Sequence, residues 1–224
     1  SIFSGTWYWG DDEMSVNVLV TGIGGNVGQG VLRNIAALNY EIKIIGSNDQ
    51  YLSAGNYLCD KVYKVPYAYD DNYIDTIIEL CNRENIQLII PCTDYETYYL
   101  SEHREWLPPI PTSDFSVNAV FIDKYTTYIE FSKRDIPFVQ SILPSSYKND
   151  FSNIVVKPRK GRGSRNIYIN PSNYKDFDDD YVIQKLHYGD ELTTAFYVTR
   201  DGSLLGHITF QRELESGTTS KCTI

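Results

Sequence analysis

The period of the hydrophobic pattern switches back and forth between residues 17 and 94, and this constrains the fold more than any single motif. "NVLV" (17–20) is a short strand of the buried type. "VLRNIAALN" (31–39) then sets Val31, Leu32, Ile35, Ala36 and Leu38 at helical spacing. "IKIIGSND" (42–49) and "KVYKVP" (61–66) return to strand character, the second stopped by Pro66. "NYIDTIIELCNRE" (72–84) places Ile74, Ile77, Ile78 and Cys81 on one helical face, and "IQLIIPCTD" (86–94) is a strand ending at Pro91. Strands alternating with helices predict an open, parallel, doubly wound α/β sheet.

"LPPIPTSD" (107–114) interrupts the pattern with closely spaced prolines and marks a domain boundary. The expected division is a Rossmann-like domain over 14–112 and an α+β domain over 113–224. In the second, a helix is expected within 123–135 and is stopped by Pro137. Strands follow at "NIVVKP" (153–158), "NIYI" (166–169) and "VIQKL" (182–186). Two longer strands meet at Arg200-Asp201-Gly202, an Asp-Gly hairpin signal. Pro158, lacking an N–H, is expected to end the ladder of its strand.

The net charge of −9 argues against general nucleic-acid binding, which needs a surplus of Lys and Arg. No apolar run approaches the roughly 20 residues of a membrane span, and no signal peptide opens the chain. Cys59, Cys81, Cys92 and Cys222 are far apart, form no metal-type pair and suit a reducing cytoplasm. Met14 is the only methionine, and "MSVNVLVTG" reads like a natural start. Residues 1–13 then read as a leader or cloning remnant. The rival is a native arm docking through Phe3, Trp7, Tyr8 and Trp9.

Two glycine loops carry the chemistry. "TGIGGNVG" (21–28) sets Gly22, Gly24 and Gly28 between a strand and a helix, where backbone amides at a helix start could hold a phosphate. Asp49 stands about 20 residues further on, as a ribose-binding acid does in dinucleotide enzymes. The alternative is that the glycines only permit a tight turn. The second loop lies in "IVVKPRKGRGSRNIYI" (154–169), between two strands. Lys157 closes the first strand, and "RKGRGS" behind it is glycine-rich, cationic and expected to be mobile. Its amides and Ser164 could close over a polyphosphate while Lys157 presents a fixed cation. The alternative is a solvated basic loop.

The order of these pieces narrows the choice. Asp123-Lys124 opens a helix; then come Val155-Val156-Lys157-Pro158, the glycine loop and "YVIQKLHYGDE". This resembles the ATP-grasp superfamily, and within it the carbamoyl-phosphate-synthase-like carboxylate–amine ligases. "VLVTGIGGNVGQGVLRNI", "CDKVYKVP" and "IIPCTDYE" resemble the Rossmann-like domain that precedes the grasp in that family. The resemblance runs from Ser15 to Ile224 and implies an ATP-dependent ligase acting through an acyl phosphate. It implies that Lys124 and Lys157 touch the ATP phosphates and that Gly161, Gly163 and Ser164 form the flexible loop. Lys185 and Leu186 would read adenine through their backbone, with Gln184 lining the pocket and Glu191 on the ribose. Arg212 stands where a basic catalytic residue faces the transferred phosphate. Gly24, Gly25 and Glu96 would bind the second substrate.

One departure is clear. The family holds Mg2+ with a late Glu and a Glu-x-Asn, and nothing up to "SGTTSKCTI" matches, so the metal ligands are expected beyond Ile224 and the chain reads as a fragment. ATP and Mg2+ are the implied cofactors, small-molecule carboxylate and amine substrates the partners, and a homodimer is left open. Two other readings stay open: an NAD(P)-dependent Rossmann reductase using Gly22 to Gly28 with Asp49, and a non-catalytic nucleotide-binding module.

Overall fold

The computed structural model describes residues 15–161, 165–199, 201–215 and 218–224. The chain forms two compact units, one ending at Ala119 and one running from Val120 to Ile224.

The first unit runs β1 (Val16–Val20), α1 (Asn26–Ala36), β2 (Ile42–Asn48), β3 (Lys61–Lys64), α2 (Tyr73–Glu84), β4 (Leu88–Ile90) and α3 (Asp94–Glu102), and α4 (Phe115–Phe121) leads into the second. The four strands are parallel, in the order β3-β2-β1-β4. Val18, Val20, Ile44 and Leu32 fill the α1 side of the sheet. Leu19, Ile45, Ile77, Ile89 and Leu100, all shut off from solvent, fill the other side. Burying each such side chain contributes about 1.5–3 kcal/mol before chain entropy. α1 approaches the β1 end so closely that a Cβ on Gly28 would lie 2.6 Å from Gly22 O and 2.8 Å from Ile23 Cα. Gly22 itself has φ +60.

Glu84, at the end of α2, takes hydrogen bonds from Tyr63, Lys61 and Lys43 and ties α2 to the starts of β2 and β3. α3 was not foreseen. Its "DYETYYLSE" has little one-sided apolar character, but Thr93 caps it by accepting from Glu96 N at 3.2 Å.

The second unit runs α5 (Lys124–Ser132), β5 (Ser141–Ile142), β6 (Ile154–Pro158), β7 (Tyr168–Ile169), β8 (Tyr181–Lys185), β9 (Glu191–Val198), β10 (Leu204–Glu215) and β11 (Thr218–Thr223). One antiparallel sheet has the order β5-β8-β6-β7 and the other β11-β10-β9. Ile154, Val156 and Ile183 pack with Tyr147 on one face of the first sheet. The hairpin around Asp201-Gly202 forms as the sequence predicts, with Gly202 at φ +86.

Pro158 does not end its ladder. It pairs with Tyr181, and Arg159 N continues by donating to Asp180 O at 2.8 Å. In an antiparallel ladder successive residues turn their N–H to opposite sides. The amide that Pro158 lacks would face the β7 edge, where pairing stops at Val156.

Candidate functional site

The start of α5 and the end of β6 form one joint. Asp123 caps α5, its Oδ1 accepting from Tyr125 N at 2.9 Å and Thr126 N at 3.1 Å. The same carboxylate takes Arg159 Nε at 3.1 Å and the Arg159 terminal nitrogen at 2.7 Å. Burial alone would raise the Asp123 carboxyl, but Arg159 and the two amides outweigh it and hold it below the usual carboxylate range. Arg159 also donates to Asp179 O at 3.1 Å and lies 5.4 Å over the Tyr125 ring. It was expected on the mobile cationic loop; instead it is half-buried and engaged on every side. No sequence signal joins it to Asp123, 36 positions earlier.

Lys124 is the first residue of α5. Its amide donates to Arg159 O at 3.1 Å. Its ammonium donates to Pro158 O at 3.0 Å, Arg159 O at 3.2 Å and Gly161 O at 3.4 Å. Lys157 stands beside it. Burial and the Lys124 charge lower the Lys157 ammonium below the ordinary lysine value. Among the described residues none accepts a hydrogen bond from that ammonium. Two lysines are thus held near each other, and burial and the neighbouring Lys124 charge are what act on the Lys157 ammonium. Gly161 lies at the loop root; Gly163 and Ser164 lie outside the described residues.

Strand alternation puts Lys157, Val155, Val182 and Gln184 on one face and Ile154, Val156, Ile183 and Lys185 on the other. Gln184 was expected to line a pocket. It is buried and donates to Ser141 Oγ at 2.7 Å, a strut between β8 and β5. Leu186 N donates to Asn153 O at 3.0 Å, so that amide is in use. The Lys185 backbone faces the β5 side, just past the last β5–β8 pair at Ser141–Gln184. A cleft of about 590 Å³ opens there, lined by Pro137, Phe138, Gln140, Phe151, Lys185 and His187. Glu191 and Arg212, expected to play separate parts, stand opposite each other across β9 and β10 and form an ion pair.

In the first unit, Glu96 and the glycine loop meet. The Glu96 carboxylate accepts from Thr93 Oγ1 at 2.8 Å and would lie 2.8 Å from a Cβ on Gly22. Gly24 and Gly25 are exposed, and the Asn48 side chain closes on Gly24. Near Glu96, at the carboxyl ends of β1 and β2, the hydroxyls of Thr21, Ser47 and Tyr73 are buried without a hydrogen-bond partner. Burial, with the Glu96 charge next, raises the Tyr73 phenol well above its usual value. Burial pushes Cys59 up to about 11 and Cys81 and Cys92 up to about 12, so these thiols are poor nucleophiles. Among the described residues no group of three His, Cys, Asp or Glu side chains could hold a metal ion, and no helix is long and apolar enough to cross a membrane.

Solved structures share this fold. N5-carboxyaminoimidazole synthetase from Staphylococcus aureus, crystallised with ADP, aligns with TM-score 0.66 at 13% identity, over 92% of this chain and 57% of that one. The biotin carboxylase domain dimer of Hydrogenobacter thermophilus 2-oxoglutarate carboxylase, with MgADP and bicarbonate, gives 0.66 at 15%, over 92% and 52%. The L-amino acid ligase of Bacillus licheniformis gives 0.64 at 9%, over 88% and 50%. The chain therefore spans a little over half the length of the synthetase it matches. It has the ATP-grasp fold, a parallel α/β domain followed by antiparallel sheets, as the sequence resemblance implies. Within it, residues 18–108 match the family described as PylC-like, N-terminal domain. Among curated proteins, none matches the sequence.

Proposed function

We propose that this chain carries the nucleotide site of an ATP-dependent carboxylate–amine, or carboxylate–thiol, ligase of the ATP-grasp type. The observation that carries the reading is the convergence of Lys124 and Lys157 at the end of β6. Holding two ammonium groups together, one partly desolvated, is unfavourable unless an anion joins them. A polyphosphate does so, and lysines are suited to it as point charges. Lys157 pairs with Val182, three residues from Lys185. At about 3.3 Å per residue that is about 10 Å, which suits adenine at the Lys185 backbone and phosphates at the lysines.

In this reaction class a carboxylate oxygen attacks the γ-phosphorus, releasing ADP and leaving an acyl phosphate. The amine or thiol then attacks the acyl carbon and releases inorganic phosphate. The protein's work is positioning and charge neutralisation. Lys124, Lys157 and the loop over Gly161, Gly163 and Ser164 neutralise phosphate. Glu191 takes the ribose hydroxyls, which frees Arg212 from its ion pair to face the transferred group. Gly24, Gly25 and Glu96 receive the second substrate at the carboxyl ends of the strands, where open α/β sheets hold ligands. Magnesium would accompany the nucleotide, but the described residues offer it no ligand set. The cytoplasm suits the free thiols, and the dimeric biotin carboxylase domain is a precedent for a homodimer.

A dinucleotide reading is less well supported, because a pyrophosphate at Gly22 would meet the Glu96 carboxylate. Isothermal titration of the chain with MgADP and with NADPH tests the proposal: heat with MgADP supports it, and heat with NADPH alone overturns it.

A further inference from the structure

The two lysines stand on different elements, Lys124 on α5 and Lys157 on β6, so their separation is set by whatever joins those elements. We infer that Arg159 is the positioning residue of the nucleotide site, setting the gap between Lys124 and Lys157 through its fork on Asp123. This rests on the proposed nucleotide site and adds a residue to it. Arg159 lies two positions after Lys157 on the same ladder, which its own amide extends to Asp180 O. Its carbonyl accepts from both the amide and the ammonium of Lys124. Its guanidinium grips Asp123, the residue before Lys124 and the cap of the helix that Lys124 opens. Backbone, cap and fork therefore converge on one residue. A planar guanidinium fixes distance and direction together, which a lysine in its place does not.

Among the described residues, the charged groups around the pair include Lys124 and Asp123 on and before α5, Arg159 after β6, and Asp179 and Asp180 before β8; both aspartates act on Arg159. With Arg159 in place, Lys157 feels burial and then Lys124, and its ammonium titrates below the ordinary lysine value. Loosening the fork lets the two ammonium groups separate, and the Lys157 titration moves back up. This readout needs no nucleotide.

The experiment compares the native chain with Arg159→Met, Arg159→Lys and Asp123→Asn. Asparagine still caps a helix, so the last variant removes the charge and leaves the cap. Competitive acylation of the amines across pH 8 to 11, with peptide mapping, gives the titration midpoint of Lys157. Calorimetry with MgADP gives affinity, and near-ultraviolet circular dichroism shows that each variant is folded. The expected result is a higher Lys157 midpoint in Arg159→Met and Asp123→Asn, a roughly tenfold weaker MgADP affinity, and partial recovery of both in Arg159→Lys. A folded Arg159→Met or Asp123→Asn with the native midpoint and affinity overturns the inference and makes Arg159 a structural strap. If Arg159→Met does not fold, Arg159→Lys and Asp123→Asn decide in the same way. If the native chain takes no MgADP, the nucleotide proposal fails, and the midpoints still show whether Arg159 sets the lysine gap.

Discussion

The two glycine loops look alike in sequence and differ in what surrounds them. In the first, glycine is required by packing: Gly28 lets α1 close on the Gly22 carbonyl, and a carboxylate stands over Gly22. In the second, Lys124 binds the loop-root carbonyls, and Lys157 stands beside it with burial and the Lys124 charge acting on its ammonium. A glycine-rich turn is only a permissive backbone. Whether it suits an anion is decided by the charges brought to it from elsewhere in the chain, here an acid in one case and two bases in the other.

The sharpest way to break this contrast is to exchange the consequences. Gly28→Ala puts a methyl group against two backbone atoms that cannot give way. The expected cost is about 3 kcal/mol, the upper end for overpacking, and a melting point several degrees lower in the first unit. Affinity of the second unit for MgADP should not change. Lys157→Ala should do the reverse. Losing a charge-assisted hydrogen bond of about 1.5–3 kcal/mol weakens nucleotide binding roughly 10- to 150-fold. Thermal unfolding should hardly move, because no apolar contact is lost. If both substitutions lower stability and neither lowers affinity, the loops do not differ as described.

Acid gives a smaller separation. Hydrogen bonds from Tyr63 and then Lys61 hold the Glu84 carboxyl at about 2, below its ordinary 4.5. A depressed carboxyl stabilises the fold above its ordinary value, and that contribution is lost as pH falls from about 4.5 toward about 2. The clamp lies at the amino ends of β2 and β3 and touches no described residue of the second unit's loop, so Glu84→Gln should flatten this pH dependence of melting while leaving nucleotide affinity at neutral pH alone. A native-like acid profile in Glu84→Gln would remove the clamp from the picture. The smallest effect is expected from Lys160→Ala. Lys160 is exposed and screened by salt, so affinity should fall less than threefold, and a loss as large as that of Lys157→Ala would move the phosphate contact onto the loop.

Much of the first unit is legible in the sequence because the hydrophobic period changes at each element. α3 escaped because tyrosines blur its apolar side, although Thr93-x-x-Glu96 is a capping box that could have revealed it. β11 escaped because "TTSKCT" has no apolar alternation. The lysines of the second loop were legible from their order along the chain. Their joint was not, since Asp123 and Arg159 meet only through tertiary packing. The Glu191–Arg212 pair shows how a register can hide a contact. Continuing the Val198–Leu204 pairing without interruption would set Glu191 opposite Gln211, and only the irregularity before Gly206 brings Arg212 there.

The most direct test of two lysines awaiting a polyphosphate is calorimetric titration of MgADP into the native chain and into Lys157→Ala, each with an NADPH control. Binding to the native chain, at least tenfold weaker in Lys157→Ala, with no heat from NADPH, is the predicted result. Equal MgADP affinity in the two proteins, or binding of NADPH alone, would contradict it.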